Sequence, residues 1–167
     1  MNQIENIELS YLAGLIDGDG SIIAQFVYHK DYKKTMPYEI RLTVQVTQLT
    51  KRRHHLEYLL QTIGEGSVRD RKKRNNKDQI SDYVLVGPRA VSELLKMLVP
   101  YLRIKKKQAE LVIRICEQLD NSADPAIFDQ TLDLVDHVAA LNDSKNRENT
   151  AQVVRDRIKK ALDESSL

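Results

Sequence analysis

Residues 11–21, YLAGLIDGDGS, restrict the possible folds more than any other stretch of this 167-residue chain. An apolar run with small residues inside it stops at D-G-D-G, where the glycines end a helix. Gly14 and Gly18 are four residues apart and share one face of that helix, with Ala13 beside them. Such small side chains let another helix approach closer than the usual ~8–10 Å. Either a second helix or the chain's own sheet could fill this face.

The hydrophobic period changes directly after this helix, whose start Asn6 or Ser10 is expected to cap. Residues 21–32 are rich in β-branched and aromatic side chains, and residues 38–48 alternate strictly between apolar and polar. The apolar side carries Ile40, Leu42, Val44 and Val46, and the polar side carries Glu39, Arg41, Thr43, Gln45 and Thr47. The alternation predicts a strand with one buried face, and the two strands together predict an antiparallel hairpin.

The following part of the chain repeats this order of elements. Residues 51–63 have helical spacing and stop at Gly64, which is typical of a helix end. The segments SVRDR and ISDYVLVG predict a second hairpin with a basic tip at 72–78. The next helix is expected to begin at Pro88 and to stop before Pro100.

Three more helical patterns complete the chain, at about 106–119, 124–141 and 147–163. We therefore predict a single α+β domain over residues 1–167, in which an αββαββα core occupies about 8–105 and C-terminal helices occupy about 106–163.

The net charge of +2 conceals a strong segregation of charge along the chain. Residues 1–24 carry four acidic and no basic side chains, residues 25–107 carry nineteen basic and eight acidic ones, and residues 108–167 carry seven basic and twelve acidic ones. A basic middle between acidic ends predicts a positive face for a polyanion, although solvated charge on surface loops would give the same composition.

The single cysteine, Cys116, lies in an apolar helical stretch and is expected to be a buried thiol rather than a nucleophile. One thiol without metal-type cysteine pairs indicates a reducing compartment. No apolar run reaches the ~18 residues of a membrane span, and the acidic N-terminus lacks the composition of a transit peptide. We expect a soluble protein with no membrane partner.

The segment LAGLIDGDG at Leu12–Gly20 resembles the LAGLIDADG motif of the homing endonucleases. One motif per chain resembles the homodimeric branch encoded in group I introns. The stretches SIIAQ, QVTQ-x-T-x-RR, VRDR, SDY, K-x-KQA and AALNDSK resemble landmarks of that branch, in order, across residues 11–145. The resemblance implies the family's fold with a DNA-binding antiparallel β-saddle. It also implies a homodimer whose helices cross at Leu12, Ala13, Gly14, Leu15 and Gly18.

For chemistry, the resemblance implies hydrolysis of one phosphodiester on each strand of a long, partly palindromic DNA target. The family's active-site positions fall on Asp19, Gln48, Arg52 and Lys105. Asp19 and the backbone carbonyl of Gly18 would coordinate Mg²⁺, for which Mn²⁺ is expected to substitute, while Ca²⁺ is expected to support binding without cleavage. Asp17 is expected to act as a cap or to form local hydrogen bonds instead.

For recognition, the outward parity of each strand predicts which side chains face DNA, where Arg suits guanine, Gln adenine, Asp cytosine and apolar groups the thymine methyl. These residues are Gln25, Val27 and His29 on the first strand, Arg41, Thr43, Gln45 and Thr47 on the second, Arg69 and Arg71 on the third, and Asp82 and Val84 on the fourth. Lys73 at the tip is expected to contact phosphates. Ser144 and Lys145 match the family's backbone-contacting loop, but Glu148 stands where a base is expected.

Two interpretations of other classes stay open from the sequence alone. An RNA maturase of the same fold would bind its own intron without cutting DNA, and a DNA-binding module could have lost its activity. The joint presence of Asp19, Gln48, Arg52 and Lys105 favours an active nuclease over the second interpretation. The resemblance also implies an organellar protein, of the chloroplast more than the mitochondrion.

Overall fold

A computed structural model describes residues 1–29, 38–71, 79–119, 125–142, 144 and 147–165. The elements are α1 (Asn6–Asp19), β1 (Gly20–Tyr28), β2 (Tyr38–Leu49), a 3₁₀ turn (Thr50–Arg52), α2 (Arg53–Ile63), β3 (Ser67–Asp70), β4 (Ile80–Val86), α3 (Pro88–Leu98), α4 (Lys106–Leu119), α5 (Pro125–Leu141) and α6 (Ala151–Ser165). The predicted αββαββα order and the three C-terminal helices are confirmed. The last helix begins at Ala151, a few residues later than predicted.

The four strands form one antiparallel sheet in the order β1-β2-β4-β3. Directly paired residues of an antiparallel sheet lie on the same face. The pairs Gln25–Arg41, Gln45–Val84, Thr47–Asp82 and Arg69–Asp82 therefore place the predicted outward residues of all four strands on one face. The parity predicted from the sequence is confirmed for these strands.

The opposite face of the sheet packs against the helices. Ile22, Leu42 and Val44 are fully buried there, and α1, α2 and α3 contact the same strands. Helices α4 and α5 pack on β1 and on each other, and a single core cluster includes residues from Leu9 to Val154. This continuity supports the predicted single domain.

The ends of the helices follow local signals, with one exception. Gly64 has φ 80°, in the left-handed region that favours glycine, and its N–H donates to the Leu60 carbonyl. The predicted cap of α1 is wrong: Glu5 is the N-cap residue and makes no side-chain cap bond. Asn6 is already helical, and the Ser10 hydroxyl donates to its carbonyl, the backward bond that serine makes inside helices.

Cys116 is buried in α4, as predicted, and its thiol donates to the Pro88 carbonyl at 3.3 Å. Within the described ranges, no helix combines the length and apolar character that a membrane crossing requires.

Candidate active site and nucleic-acid interface

The C-terminal end of α1 carries the two acidic side chains of the sequence motif, and the sheet brings a polar partner to it. Asp19 is the last residue of α1, and Gly20 begins β1 in register with Val46 of β2. This pairing brings the end of β2 beside Asp19, whose Oδ2 accepts a hydrogen bond from Gln48 Nε2 at 2.6 Å. The Asp19 side chain is exposed to solvent. Two of the four predicted catalytic residues therefore meet in an open position.

Asp17, two residues earlier, has the opposite environment. It is 9% exposed, and its carboxylate accepts backbone N–H groups of Arg103 (2.7 Å), Ile104 (3.1 Å) and Lys105 (2.8 Å). Desolvation by burial opposes its ionisation, but these backbone bonds outweigh that effect and lower the pKa of Asp17. Local hydrogen bonding, one of the two roles expected for Asp17, is wrong, because the partners lie more than eighty residues away along the chain. Its carboxylate instead accepts the amides of the turn that leads into α4.

Lys105 reaches the same end of α1 through Asp17. Its Nζ donates to the backbone carbonyl of Asp17 at 2.5 Å, and the side chain is half-buried. The third predicted catalytic residue is therefore held two residues from Asp19. We call Asp17, Asp19, Gln48 and Lys105 the motif end.

Arg52, the fourth predicted residue, lies in the 3₁₀ turn that follows Gln48 and is exposed. Its neighbour Arg53 is engaged with Asp70 and Glu57, whereas Arg52 forms no ion pair within the part of the chain that the structure describes. His54 and His55 are exposed and stack on each other with ring centroids 4.1 Å apart. Among the described residues, no contact places either of them at the motif end.

The donor set at the motif end suits a hard divalent cation. The Asp19 carboxylate and the backbone carbonyls of the last helical turn are oxygen donors, which Mg²⁺ and Ca²⁺ prefer. Within the ranges that the structure covers, no group of three or more His, Cys, Asp or Glu side chains could enclose a metal ion. Among the described residues, the oxygen donors at this position are the Asp19 carboxylate and the backbone carbonyls of the last turn of α1.

The outer face of α1 differs from the predicted dimer surface in two residues. Leu12 and Ala13 are 1% and 0% exposed, because they point into the chain's own core. A side chain that is already buried cannot form an intermolecular contact, so their assignment to the interface is wrong. Leu15 is half-buried, and Gly14 and Gly18 are exposed. A Cβ added at either glycine would meet no described atom within 4 Å.

Two large apolar residues extend this glycine face, and neither was predicted from the sequence. Ile7 is 75% and Tyr11 is 49% exposed, and the spacing of 7, 11, 14 and 18 puts them on one helical stripe with the glycines. Ile104, in the turn that Asp17 holds, is 72% exposed. Helical periodicity was the signal that could have identified this stripe.

On the outward face of the sheet, one buried carboxylate joins side chains of three strand segments. Asp82 is 2% exposed and accepts bonds from Arg71 Nε (2.6 Å), Thr47 Oγ1 (2.7 Å) and Gln45 Nε2 (3.0 Å). Burial opposes its ionisation, but the bonds from Arg71 and Thr47 hold the pKa of Asp82 below its ordinary value. Asp82 lies on the predicted face, but its carboxylate is buried and binds these neighbouring side chains, so it is not exposed for contact with DNA. We call these four residues the inner network.

Nearer the tip of the first hairpin, a second carboxylate occupies the same face. Glu39 accepts Arg41 Nη2 at 3.1 Å and pairs with His29 Nε2 at 2.8 Å. Bonds from Arg41 and then His29 lower the pKa of Glu39. Its outward parity was visible in the sequence, but the predicted contact set left it out. We call these three residues the outer triad.

Apolar side chains lie between these two polar groups. Val84 and Thr43 are 6% and 7% exposed, and Ile23 and Val86 pair with Thr43 from either side. Ile23 and Val86 were not predicted as contact residues. Val84 and Thr43 are thus largely covered, although both were predicted to contact DNA, and Val86 and Ile23 are the side chains of this row that offer apolar surface to a thymine methyl group.

The loop after α5 holds one of the predicted backbone contacts. Ser144 is exposed, and its N–H donates to the Ala139 carbonyl at 3.0 Å. Asn142 Nδ2 donates to the Ile22 carbonyl at 2.7 Å and so ties this loop to β1. Lys145 and Lys73 lie outside the described residues.

Comparison with known proteins gives a consistent result. Residues 12–117 match the family described as LAGLIDADG endonuclease. The chain is 45% identical over 157 residues to the DNA endonuclease I-CreI of Chlamydomonas reinhardtii, covering 93% of this chain and 91% of that protein. It is 36% identical over 156 residues to the DNA endonuclease I-CvuI of Chlorella vulgaris, covering 93% and 92%.

The fold agrees with solved structures. I-CvuI bound to its target in the presence of Ca²⁺ superposes with a TM-score of 0.83 at 35% identity, covering 93% of this chain and 94% of that chain. I-CvuI with the I-CreI target and Mg²⁺, in which the DNA is not cleaved, gives a TM-score of 0.82. The predicted fold class is thereby confirmed.

Proposed function

Because the chain belongs to the LAGLIDADG endonuclease family, we propose that it is a site-specific double-strand DNA endonuclease that binds a long, partly palindromic target as a homodimer. The observation that carries the proposal is the meeting of Asp19 and Gln48 in an open position, at the end of a sheet whose opposite face carries polar side chains. Two relatives are DNA endonucleases, and one was solved with its target DNA.

The four predicted catalytic residues, three of them at the motif end and the fourth being Arg52, have separate tasks in this proposal. The Gln48 amide fixes the orientation of the Asp19 carboxylate through the 2.6 Å bond. Lys105 and Arg52 supply positive charge to the scissile phosphate, which gains negative charge as the fifth oxygen adds to phosphorus. Fixed cations near that phosphate lower the barrier most where water is excluded.

We propose that Mg²⁺ is the cofactor, held by the Asp19 carboxylate and the Gly18 carbonyl together with oxygens of a second chain and of DNA. When bound, it would polarise the phosphodiester and neutralise its charge. The solved complexes of I-CvuI in Ca²⁺ and in Mg²⁺ support a divalent cation in this family. Substitution by Mn²⁺, and binding without cleavage in Ca²⁺, stay predictions for this chain.

The dimer would bring two copies of the motif end together. The stripe of Ile7, Tyr11, Gly14 and Gly18 is exposed in one chain, and large exposed apolar residues mark interaction surfaces. An isologous contact along this stripe would converge the C-terminal ends of two α1 helices, each with one Asp19, on the two strands of one duplex. The two-fold symmetry explains the preference for a partly palindromic site.

The sheet face would read bases in the major groove. The outward residues of β1 and β2, the inner network and the outer triad supply donors, acceptors and apolar groups. Ser144 and Lys145 would contact the DNA backbone. The relatives come from Chlamydomonas reinhardtii and Chlorella vulgaris, which supports an organellar location, and the chloroplast is the compartment that we propose.

Selection of cleaved sites from a randomised, partly palindromic library tests the activity and the specificity together. We expect double-strand cleavage of a narrow set of sequences with Mg²⁺, and retention of the same sequences without cleavage with Ca²⁺. Failure to cleave any member under either condition, while intron RNA is bound tightly, would favour the maturase interpretation instead.

Light scattering of the DNA-free protein at micromolar concentration tests the dimer. We expect a mass of twice the 19.2 kDa of one chain. A monomeric mass would contradict the proposed architecture, whatever the outcome of the cleavage assay.

A further inference from the structure

The turn before α4 is attached to α1 by a single acidic residue. Asp17 accepts three successive backbone N–H groups, from Arg103 at 2.7 Å, Ile104 at 3.1 Å and Lys105 at 2.8 Å. These three N–H groups belong to the turn that precedes Lys106, the first residue of α4. Asp17 therefore ties this turn to a different element of the fold.

The attachment is reciprocal at one residue. Lys105 donates its backbone N–H to the Asp17 carboxylate and its Nζ to the Asp17 carbonyl at 2.5 Å. Its own carbonyl accepts the N–H of Ala109 at 3.0 Å, so Lys105 is the residue at which the hydrogen bonds of α4 begin. Both the backbone and the ammonium group of Lys105 are thus fixed relative to the last turn of α1.

The surroundings of the turn offer it few other restraints. Arg103 and Ile104 are exposed, and Leu102 is the buried anchor that precedes them. The same turn of α1 presents Asp19 two residues further on. The relative position of Asp19 and Lys105 therefore depends on the hydrogen bonds of Asp17.

From this geometry, and resting on the nuclease function proposed above, we infer that Asp17 is a positioning residue for DNA cleavage. It acts through Lys105, whose backbone it holds against the last turn of α1, where the Lys105 ammonium group donates to the Asp17 carbonyl two residues before Asp19. Its side chain is occupied by backbone donors and has no part in binding DNA or metal. A purely structural role would predict that its loss lowers stability alone; a positioning role predicts a loss of cleavage that disappears when Lys105 is absent.

The test is a double-mutant cycle with Asp17→Asn, Lys105→Ala and the double variant, measured as single-turnover cleavage in Mg²⁺ with all DNA bound. Asn keeps the shape but turns an N–H donor toward backbone donors. We expect Asp17→Asn to reduce the cleavage rate by about 10- to 100-fold, the range for a displacement near 1 Å. DNA affinity in Ca²⁺ should stay within about threefold, and the double variant should cleave no more slowly than Lys105→Ala.

Asp136 offers a matched control. Its carboxylate also accepts a backbone N–H at a helix start, that of Ala151 at 3.1 Å, and it pairs with Arg147 at 2.6 Å. Asp136→Asn should lower the melting temperature about as much as Asp17→Asn but leave the cleavage rate of bound DNA within about threefold of the wild type. Equal losses of cleavage in both variants would show a general effect of instability and overturn the proposal.

A second readout does not depend on activity. Hydrogen exchange in the wild type should be slow at the amides of Arg103, Ile104 and Lys105 and fast at these three amides in Asp17→Asn. If Asn prevents folding, Asp17→Ser keeps one short acceptor and is used instead. If the wild-type protein cuts no DNA, the proposed function is wrong, but the hydrogen-exchange measurement still shows whether Asp17 holds the turn. A cleavage loss that persists undiminished on the Lys105→Ala background overturns the role assigned to Asp17.

Discussion

The motif end and the inner network both centre on an aspartate, and the two aspartates are treated in opposite ways. Asp19 is exposed and accepts a hydrogen bond from Gln48, which leaves most of its lone pairs directed to solvent. Asp82 is 2% exposed, and Arg71, Thr47 and Gln45 saturate its oxygens. The carboxylate of Asp19 is therefore available to an external ligand, whereas that of Asp82 holds its neighbouring side chains in place.

The physical reason is the cost of burying charge. An ionised carboxylate is stable in a protein interior when it is paired and hydrogen-bonded, as Asp82 is. A carboxylate that must coordinate a metal cannot be saturated in this way, so it has to remain at the surface until the second chain and the DNA cover it. Asp17, although it shares the helix end with Asp19, belongs to the saturated kind.

The largest effect is expected from Asp19→Asn, which removes the charge of the exposed carboxylate. The change keeps the shape and removes a charged ligand from each subunit, so cleavage should fall by at least about 10³-fold, while DNA affinity should stay within about tenfold. Single-turnover cleavage and binding in Ca²⁺ measure the two quantities.

Asp156 is a matched control for Asp19. It is exposed on α6 and accepts Gln152 Nε2 at 2.8 Å, much as Asp19 accepts Gln48. Asp156→Asn should leave cleavage within about twofold, since surface substitutions rarely have larger effects. Wild-type cleavage by Asp19→Asn would end the mechanism proposed for the motif end.

A smaller effect on cleavage is expected from Gly14→Leu, which tests whether a second chain packs on α1 and completes the site around Asp19. The added side chain should separate the two α1 helices by about an ångström at a cost of ~1–3 kcal/mol, and a displacement of that size can reduce cleavage by about 10²-fold. Gly14→Ala adds one methyl group and should lose far less. Full activity of Gly14→Leu in a protein of dimeric mass would show that the interface lies elsewhere.

Next in size are the losses of base discrimination from Arg69→Ala and Arg71→Ala. Each arginine should contribute ~1–3 kcal/mol at one position of the target if it contacts a base. Arg71→Ala should also change the preference at neighbouring positions, because it removes the cation that is hydrogen-bonded to Asp82, whereas Arg69→Ala leaves that bond in place and should change them less.

The preference profile of cleaved library members separates these outcomes. Lys73→Ala serves as the phosphate-contact control and should weaken all sites alike and flatten the salt dependence. Unchanged preferences in both arginine variants would show that these side chains do not read bases, despite their place on the outward face.

The smallest effect concerns the stability that the buried carboxylate of Asp82 contributes. Because the pKa of Asp82 is lowered in the folded state, its contribution to stability is present above the unfolded value near 3.8 and is lost as the pH falls below it. The melting temperature of the wild type should therefore exceed that of Asp82→Asn most clearly near neutral pH. The gap should stay nearly constant down to about pH 5 and narrow as the pH falls further, to about 3 and below. A gap that does not change with pH would contradict the assigned ionisation.

The sequence was sufficient for the order of elements and for the parity of the strands. Alternation with period two, Gly64 and Pro88 are local signals, and local signals decide helix ends and strand faces. Leu12 and Ala13 were assigned to the dimer contact through the family resemblance, whereas their side chains lie on the inward face of α1. Asn6 and Ser10 misled because either residue type can cap a helix or lie within its first turn.

What the sequence could not predict depends on contacts between distant segments. The bonds of Asp17 to residues 103–105 require the packing of α4 against the rest of the core. The burial of Asp82 requires side chains that the pairing of β2, β3 and β4 brings together. The assignment of Gln48 to the active site came from the family resemblance, and the register of β1 with β2 explains why its side chain reaches Asp19.

The sharing of Asp82 among Arg71, Thr47 and Gln45 has a consequence for evolution. A substitution of Arg71 strands a buried charge, so it is tolerated best together with a second substitution at Asp82. Gln25 is exposed and stands apart from that network, so it can be exchanged in one step. Substitutions that change the preference at base pairs read by the inner network should therefore be strongly epistatic, whereas those at base pairs read by Gln25 should be nearly additive. A change at Gln25 is thus the easier route by which such an enzyme acquires a new insertion site.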